Sequence, residues 1–209
     1  MTLPHIFELL GVAEFAVSGA LAAGRRNFDL LGVVVIATVT ACGGGTLRDV
    51  LLDRHPVFWI ADTTHVYVSL ATALLTVAYA RYRHPPERLI LIADALGLAL
   101  FSILGAQIAE HAGHGGIVVV IMGTLTGAAG GVLRDMLCAE VPMILRRSHL
   151  YATASIAGVV AYLLLQGFLD HTLAALLGMA CIAGLRLGAI IWHWTLPVFS
   201  LPGKKDEHL

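Results

Sequence analysis

The chain has 209 residues, of which 58% are hydrophobic and only 13% charged, and its mean hydropathy is +0.83. A soluble domain of this length carries about a quarter charged residues, so the composition excludes a water-soluble globule and indicates a polytopic membrane protein. The net charge of −1, without a basic stripe, excludes a nucleic-acid partner.

A membrane-crossing helix needs about 20 mostly apolar residues. Seven segments qualify, near 6–23, 29–52, 57–80, 89–109, 116–138, 149–168 and 171–194. The first opens on "MTLPHIFELLG", which lacks the basic n-region of a signal peptide and is therefore expected to stay as a helix. It carries Glu8, expected at the interface, and the deeper Glu14, for which Arg186 in the last span is a candidate partner.

The second span contains "TACGGGTLRDVLL", residues 40–52. Glycine costs about 1 kcal/mol against alanine in a helix, and a run of them invites a kink or unwinding. Freed backbone groups are tolerated at membrane depth only where protein or a water-filled cavity satisfies them. Gly43, Gly44 and Gly45 are therefore expected to break the helix beside a polar path, although glycines also serve close helix packing. Arg48 and Asp49 follow, and a central Arg or Asp costs about 2.5–3.5 kcal/mol on insertion scales.

The third span begins near Trp59, an interface anchor like Trp192 and Trp194, and ends in the basic loop "RYRHPPER". The fourth starts near Asp94, expected like Glu8 at the interface, and runs to "EHAGHGG", where His111 and His114 are expected to be solvated. The fifth repeats the earlier anomaly as "TGAAGGVLRDML", residues 126–137, with Gly130, Gly131, Arg134 and Asp135. Cys42, Cys138 and Cys181 lie in apolar segments without CxxC spacing and read as small buried residues.

Sliding the sequence by 86 residues superimposes the two anomalies and gives 18 identities in the 47 positions from Leu10 to Pro56. Gly44, Gly45, Leu47, Arg48 and Asp49 fall on Gly130, Gly131, Leu133, Arg134 and Asp135, and Thr38 and Thr40 fall on Thr124 and Thr126. The predicted organisation is a three-helix repeat over 1–86, a second over 87–169, a seventh helix over 170–196 and a tail over 197–209. Three crossings are an odd number, so the second repeat must be inverted. Inverted repeats are typical of transport proteins, with sites where interrupted helices meet near the midplane.

Neighbouring residues on a helix do not face each other. Pseudo-symmetry therefore suggests the reciprocal pairs Arg48 with Asp135 and Arg134 with Asp49, acting as a clasp or a gate. Thr38, Thr40, Thr124 and Thr126 are expected to line the polar path; a membrane threonine also commonly bonds to the carbonyl four residues back. Nine of the thirteen Lys and Arg residues lie in the loops after spans one, three and five and in the tail: Arg25, Arg26, Arg81, Arg83, Arg88, Arg146, Arg147, Lys204 and Lys205. The positive-inside rule then places the N-terminus outside and the C-terminus in the cytoplasm. No nucleophile–base set, phosphate loop, metal motif or cofactor motif is evident, so no enzymatic role is expected.

The paired motifs "GGGTLRD" and "AAGGVLRD", in two three-helix repeats followed by a seventh helix, resemble the prokaryotic branch of the trimeric intracellular cation channel family. Its bacterial members are also grouped as glycine transporter domain proteins. The resemblance covers roughly residues 6 to 195. It implies an all-α homotrimer in a bacterial inner membrane, one K⁺-permeable pore per protomer, and kinks at Gly43–Gly45 and Gly130–Gly131 in the pore-lining second and fifth helices. Ala129 stands where the first repeat has Gly43, which implies a milder second kink. The absence of a TVGYG-like loop argues for modest selectivity. The alternatives are a secondary transporter for a small solute such as glycine, which requires an occluded site, and a non-conducting scaffold, in which the glycines could be replaced.

Overall fold

A computed structural model describes residues 3–83, 85–86, 88–146 and 150–195. The described residues are helical throughout: α1 (Leu3–Arg25), α2 (Leu30–Leu51), the short α3 (Phe58–Ala61), α4 (Thr64–Tyr82), α5 (Leu89–His111), α6 (Gly116–Leu137), a 3-10 turn (Met143–Leu145), α7 (Ala152–Leu165) and α8 (His171–Trp192). Five helices, α1, α2, α5, α6 and α8, are long and apolar enough to cross a membrane. The chain is an integral membrane protein. Of the other two long helices, α4 is more polar and α7 has 14 residues.

The predicted third span, 57–80, is two helices rather than one. Asp62 is extended, with φ −133°, and its Oδ1 accepts from the Thr64 N–H at 2.9 Å. This side-chain turn stops α3 and starts α4. Elsewhere the chain punctuates its helices as sequence rules lead one to expect. Asp29 accepts from the Gly32 N–H at 2.7 Å to open α2, and Asp170 accepts from Thr172 and Leu173 at 3.1 Å to open α8. Arg147, Lys204, Lys205 and the predicted tail over 197–209 lie outside the described residues.

The duplication read from the sequence is visible in the elements. α1 and α5 begin and end at positions 86 apart, as do α2 and α6. The left-handed residues that leave these helices also correspond: Asn27 with Gly113, and Asp53 with Ala139.

Reciprocal contacts relate the two halves. Phe15 and Phe101, equivalent positions on α1 and α5, stack with centroids 5.5 Å apart and planes 9° apart. A Cβ on Gly11 would stand 2.9 Å from the Phe101 ring, and one on Gly97 would stand 2.8 Å from Phe15. At the α2–α6 crossing, a Cβ on Gly44 would overlap the Thr126 carbonyl oxygen, and one on Gly130 would overlap that of Thr40. In lipid there is no hydrophobic drive between helices, so association depends on close approach and van der Waals contact, which small residues permit. Four helices, α1, α2, α5 and α6, thus form a two-fold-like centre. α4 packs against α1 and α2, whereas α7 and α8 pack against each other and against the second half.

Candidate functional site

The glycine segments do not interrupt their helices. α2 is helical from Leu30 to Leu51 and α6 from Gly116 to Leu137, without interruption at either motif. The expected break is corrected accordingly: the missing Cβ atoms make room for neighbours. Gly43 accommodates Leu133, Gly45 the Phe58 ring, and Gly131 the Tyr151 hydroxyl and Asp94. Thr40 and Thr126 are fully buried at the crossing, and each donates to its own helix at 2.6 Å, to the Ile36 and Met122 carbonyls. Thr38 lies 3.4 Å from the Ser69 hydroxyl, and Thr124 accepts from Ser155 at 3.3 Å. These are again equivalent pairs.

The charged residues also depart from the reciprocal scheme. Arg48 does not reach Asp135, nor Arg134 Asp49; each arginine turns to its own neighbour. Arg48 Nε donates to Asp49 Oδ1 at 2.8 Å, and Arg134 Nε donates to Asp135 Oδ1 at 2.8 Å. The spacing rule concerns Cβ directions, and an arginine is long enough to wrap around the helix to a short aspartate that is held still. What holds the aspartates is the following loop. Asp49 Oδ2 accepts from the Phe58 N–H at 2.8 Å, and Asp135 Oδ2 accepts from the Met143 N–H at 2.7 Å. Each Arg-Asp pair therefore stitches the end of a central helix to the short helical turn beyond it.

Around this shared core the two halves differ. Arg134 also donates to Asp94 at 2.6 Å and to the Ser18 hydroxyl, so that α6 is tied to α5 and α1. Arg186 of α8 lies 3.7 Å from Asp94, with its guanidinium 4.6 Å above the Tyr151 ring. Arg134, Arg186 and Asp94 are fully buried and Asp135 nearly so, which makes two cations matched by two carboxylates. Asp94 is therefore buried inside the bundle, and Arg186 lies against it in place of Glu14. In the first half, Arg48 is equally buried, yet its sole described carboxylate is Asp49, which also receives exposed Arg54 at 3.2 Å. Nη2 of Arg48 lies 2.8 Å from the same Asp49 oxygen, and Nη1 has no hydrogen-bond partner among the described residues. Its guanidinium lies 5.4 Å from the Phe58 ring centroid.

At one end of the bundle, Arg26 and Arg146 both bond Glu140, at 2.9 and 2.6 Å, and join the loop after α1 to the loop after α6. Those bonds, from Arg146 first and Arg26 after it, hold the Glu140 carboxyl below the usual glutamate range. A cavity of about 270 Å³ at this end has Arg25, Arg88 and Arg146 on its walls, and Arg134 and Asp135 contribute to its lining.

The family model described as "Glycine transporter" matches residues 5–81 and 91–167. The chain belongs to this family. The two matched segments are offset by the same 86 residues as the internal identities, so a single family unit is present twice in this glycine transporter family member. Inner membrane protein YadS of Escherichia coli K12 is 42% identical over 202 residues, which span 95% of this chain and 97% of the relative. Among solved structures, the TRIC trimeric intracellular cation channel orthologue from Rhodobacter sphaeroides has a TM-score of 0.87 and 37% identity, covering 92% of this chain and 99% of that one. A structure described as showing the basis for conductance through TRIC cation channels has a TM-score of 0.86 and 32% identity, covering 97% and 100%. These likenesses place the family member in the prokaryotic TRIC group that its motifs resemble.

Sequence reasoning missed Ser18, Tyr151 and the burial of Asp94 in this family member. One signal was available: Asp94 and Glu8 share a repeat position, as do Tyr151 and His65. Two polar residues at matching places in both copies mark a recurrent polar junction, though not its burial.

Proposed function

We propose that this chain is a monovalent-cation channel, permeable to K⁺, that works as a homotrimer with one pore in each protomer in the bacterial inner membrane. Its N-terminus is outside and its C-terminus cytoplasmic, with all seven long helices crossing the lipid. The reading is supported by the likeness, along nearly the whole chain, to structures described as trimeric intracellular cation channels. One observation in this molecule carries it: the central arginines are neutralised locally. Arg134 and Arg186 face Asp94 and Asp135, and Arg48 faces Asp49, so a cation passing either group does not meet bare positive charge.

In this proposal the path runs along the α2–α6 crossing, where Gly43–Gly45 and Gly130–Gly131 bring backbone close to backbone. The Thr40 and Thr126 carbonyls, with Thr38 and Thr124 nearby, are the oxygens available to a partly dehydrated ion. The helices are in contact at Gly44 and Gly130, so conduction requires them to separate there, with Arg48–Asp49 and Arg134–Asp135 bracing or gating the movement. Nothing in this mechanism calls for a cofactor or a catalytic residue. The second reading, saturable transport of a small solute such as glycine, has only the family's description on its side.

The test is flux from liposomes that contain the purified protein, loaded with K⁺ and supplied with a proton ionophore, with radiolabelled glycine uptake assayed in parallel. Voltage-driven, non-saturating K⁺ flux is expected. Saturable glycine uptake without K⁺ leak would overturn the channel reading.

A further inference from the structure

At the end of the bundle opposite Glu140, three potential metal ligands converge. His5 and Glu8 lie one turn apart at the start of α1, and His65 lies in the first turn of α4. One ligand atom from each, an imidazole nitrogen or a carboxylate oxygen, falls within 4.8 Å of the others. His65 Nε2 and Glu8 Oε2 are already 3.3 Å apart, close to the roughly 3.4 Å between two ligands on a tetrahedral zinc ion. A fourth donor stands beside them, because His5 Nε2 is 3.8 Å from Asp62 Oδ2. The other Asp62 oxygen is used to bond the Thr64 N–H.

The state of His65 gives this cluster its meaning. The residue is 2% exposed and fixed on three sides. Its Nδ1 is 2.8 Å from the Asp62 carbonyl, which can only accept, so Nδ1 carries the hydrogen. The Phe58 and His5 rings pack against it edge-on, with centroids 4.9 and 5.8 Å away. In the neutral imidazole, Nε2 then presents a lone pair, and it has no hydrogen-bond partner among the described residues although it is aimed at the Glu8 carboxylate. Two electron-pair donors facing each other in a buried place need a cation between them: a proton, which makes an imidazolium–carboxylate pair, or a metal ion, for which His5 and Asp62 supply the further donors. A backbone carbonyl that fixes the tautomer through Nδ1 is the usual support of an Nε2 metal ligand.

The other repeat does not carry this set. At the positions equivalent to His5, Glu8, Asp62 and His65 it has Leu91, Asp94, Ser148 and Tyr151. There the carboxylate, Asp94, bonds Arg134, whereas Glu8 leaves Arg48 and turns to His65. The two copies of one polar junction have thus diverged, one towards an arginine cluster and the other towards imidazoles.

We propose that His5, Glu8 and His65, with Asp62 as the fourth donor, bind a divalent transition metal of the zinc class, the ions that imidazole and carboxylate together favour. The ion clasps the start of α1 to the start of α4. Access is from the aqueous side, where the Asp62 side chain is 43% exposed, His5 25% and Glu8 20%. His5, the most exposed of the three ligands, closes the remaining distance by a change of rotamer.

The experiment uses the full chain in detergent, tag-free and stripped with chelator, titrated with Zn²⁺ by calorimetry and with Co²⁺ by visible absorption. Expected are one saturable site per chain, ligand-field bands for Co²⁺, and a rise in Tm on adding Zn²⁺. His5→Ala and Glu8→Gln each weaken binding by at least about tenfold and abolish the Tm rise, while His111→Ala and His114→Ala change neither. Elution at the wild-type volume and a single cooperative metal-free unfolding transition show that the variants fold. No saturable site in the wild type would overturn the proposal and leave Glu8 and His65 as an ion pair alone. Binding that persists unchanged in His5→Ala and Glu8→Gln would overturn it as well.

Discussion

Arg134 of α6 donates to Asp94 of α5 at 2.6 Å, and neither side chain is exposed. Ser18 of α1 and Arg186 of α8 converge on the same two residues. Four helices therefore share one balanced charge cluster. Removing one member of a buried pair leaves the other uncompensated, at a cost of about 3–5 kcal/mol. Asp94→Asn is expected to lose this much in unfolding measurements in detergent. Glu8→Gln, at the equivalent place but with a side chain 20% exposed, is expected to lose less. Equal losses would show that the cluster has no special weight.

Glycine contacts give a second contrast. Gly44→Ala and Gly130→Ala drive a methyl group into a backbone carbonyl of the partner helix. A backbone cannot step aside as a flexible side chain can, so each is expected to cost about 1–3 kcal/mol. Gly24 and Gly184 are helical, and a methyl group on either would meet nothing within 4 Å. Their replacement by alanine is expected to be neutral or stabilising by up to about 1 kcal/mol. The four Tm values decide the matter.

The two central arginines are expected to differ in role. Arg134→Gln unbalances the cluster around Asp94 and should lower stability sharply. Arg48→Gln leaves Asp49 with a second cation, Arg54 at 3.2 Å, and with the Phe58 N–H, so it should be tolerated better. On the channel reading it also raises K⁺ flux in liposomes, because less positive charge remains near the path. Unchanged or lower flux from a normally folded Arg48→Gln protein would count against a path past Arg48.

Glu140 supplies a pH signature. Its folded-state pKa is depressed below 4.5, chiefly by its bond with Arg146 and then by Arg26. A depressed carboxyl stabilises the fold above its unfolded pKa, and that contribution disappears as pH falls through the folded value. Wild type should therefore exceed Glu140→Gln in Tm at neutral pH, with the gap closing below about pH 4.5. A gap independent of pH would point to packing as the role of Glu140.

Much of the architecture is legible in the sequence because its causes are local or periodic. Apolar runs separated by charged loops mark the long helices, and the offset of 86 residues marks the duplication that the helix ends repeat. The third span reads as continuous because the polar run Asp62-Thr63-Thr64-His65 is short beside the apolar residues around it, while the turn of Asp62 with Thr64 depends on backbone geometry. The glycines are legible as special, but sequence offers two uses for them, helix breaking and close packing. Only the facing Thr40 and Thr126 carbonyls distinguish the two.

The sequence by itself determined a duplicated, all-helical membrane protein with polar junctions in both halves, because hydropathy and self-similarity are properties of the chain alone. Tertiary structure decided how the charges are shared. Arg48 and Arg134 could have met each other's aspartates, yet Asp49 and Asp135 are fixed by the Phe58 and Met143 N–H groups beyond their helices, within reach of the neighbouring arginines. Tertiary structure also turned Asp94 inward to Arg134 and Glu8 sideways to His65 from equivalent positions. The physical reason is the same in each case: a buried charge takes the partner that packing brings within about 3 Å, and packing between distant segments is not written in the spacing of either one.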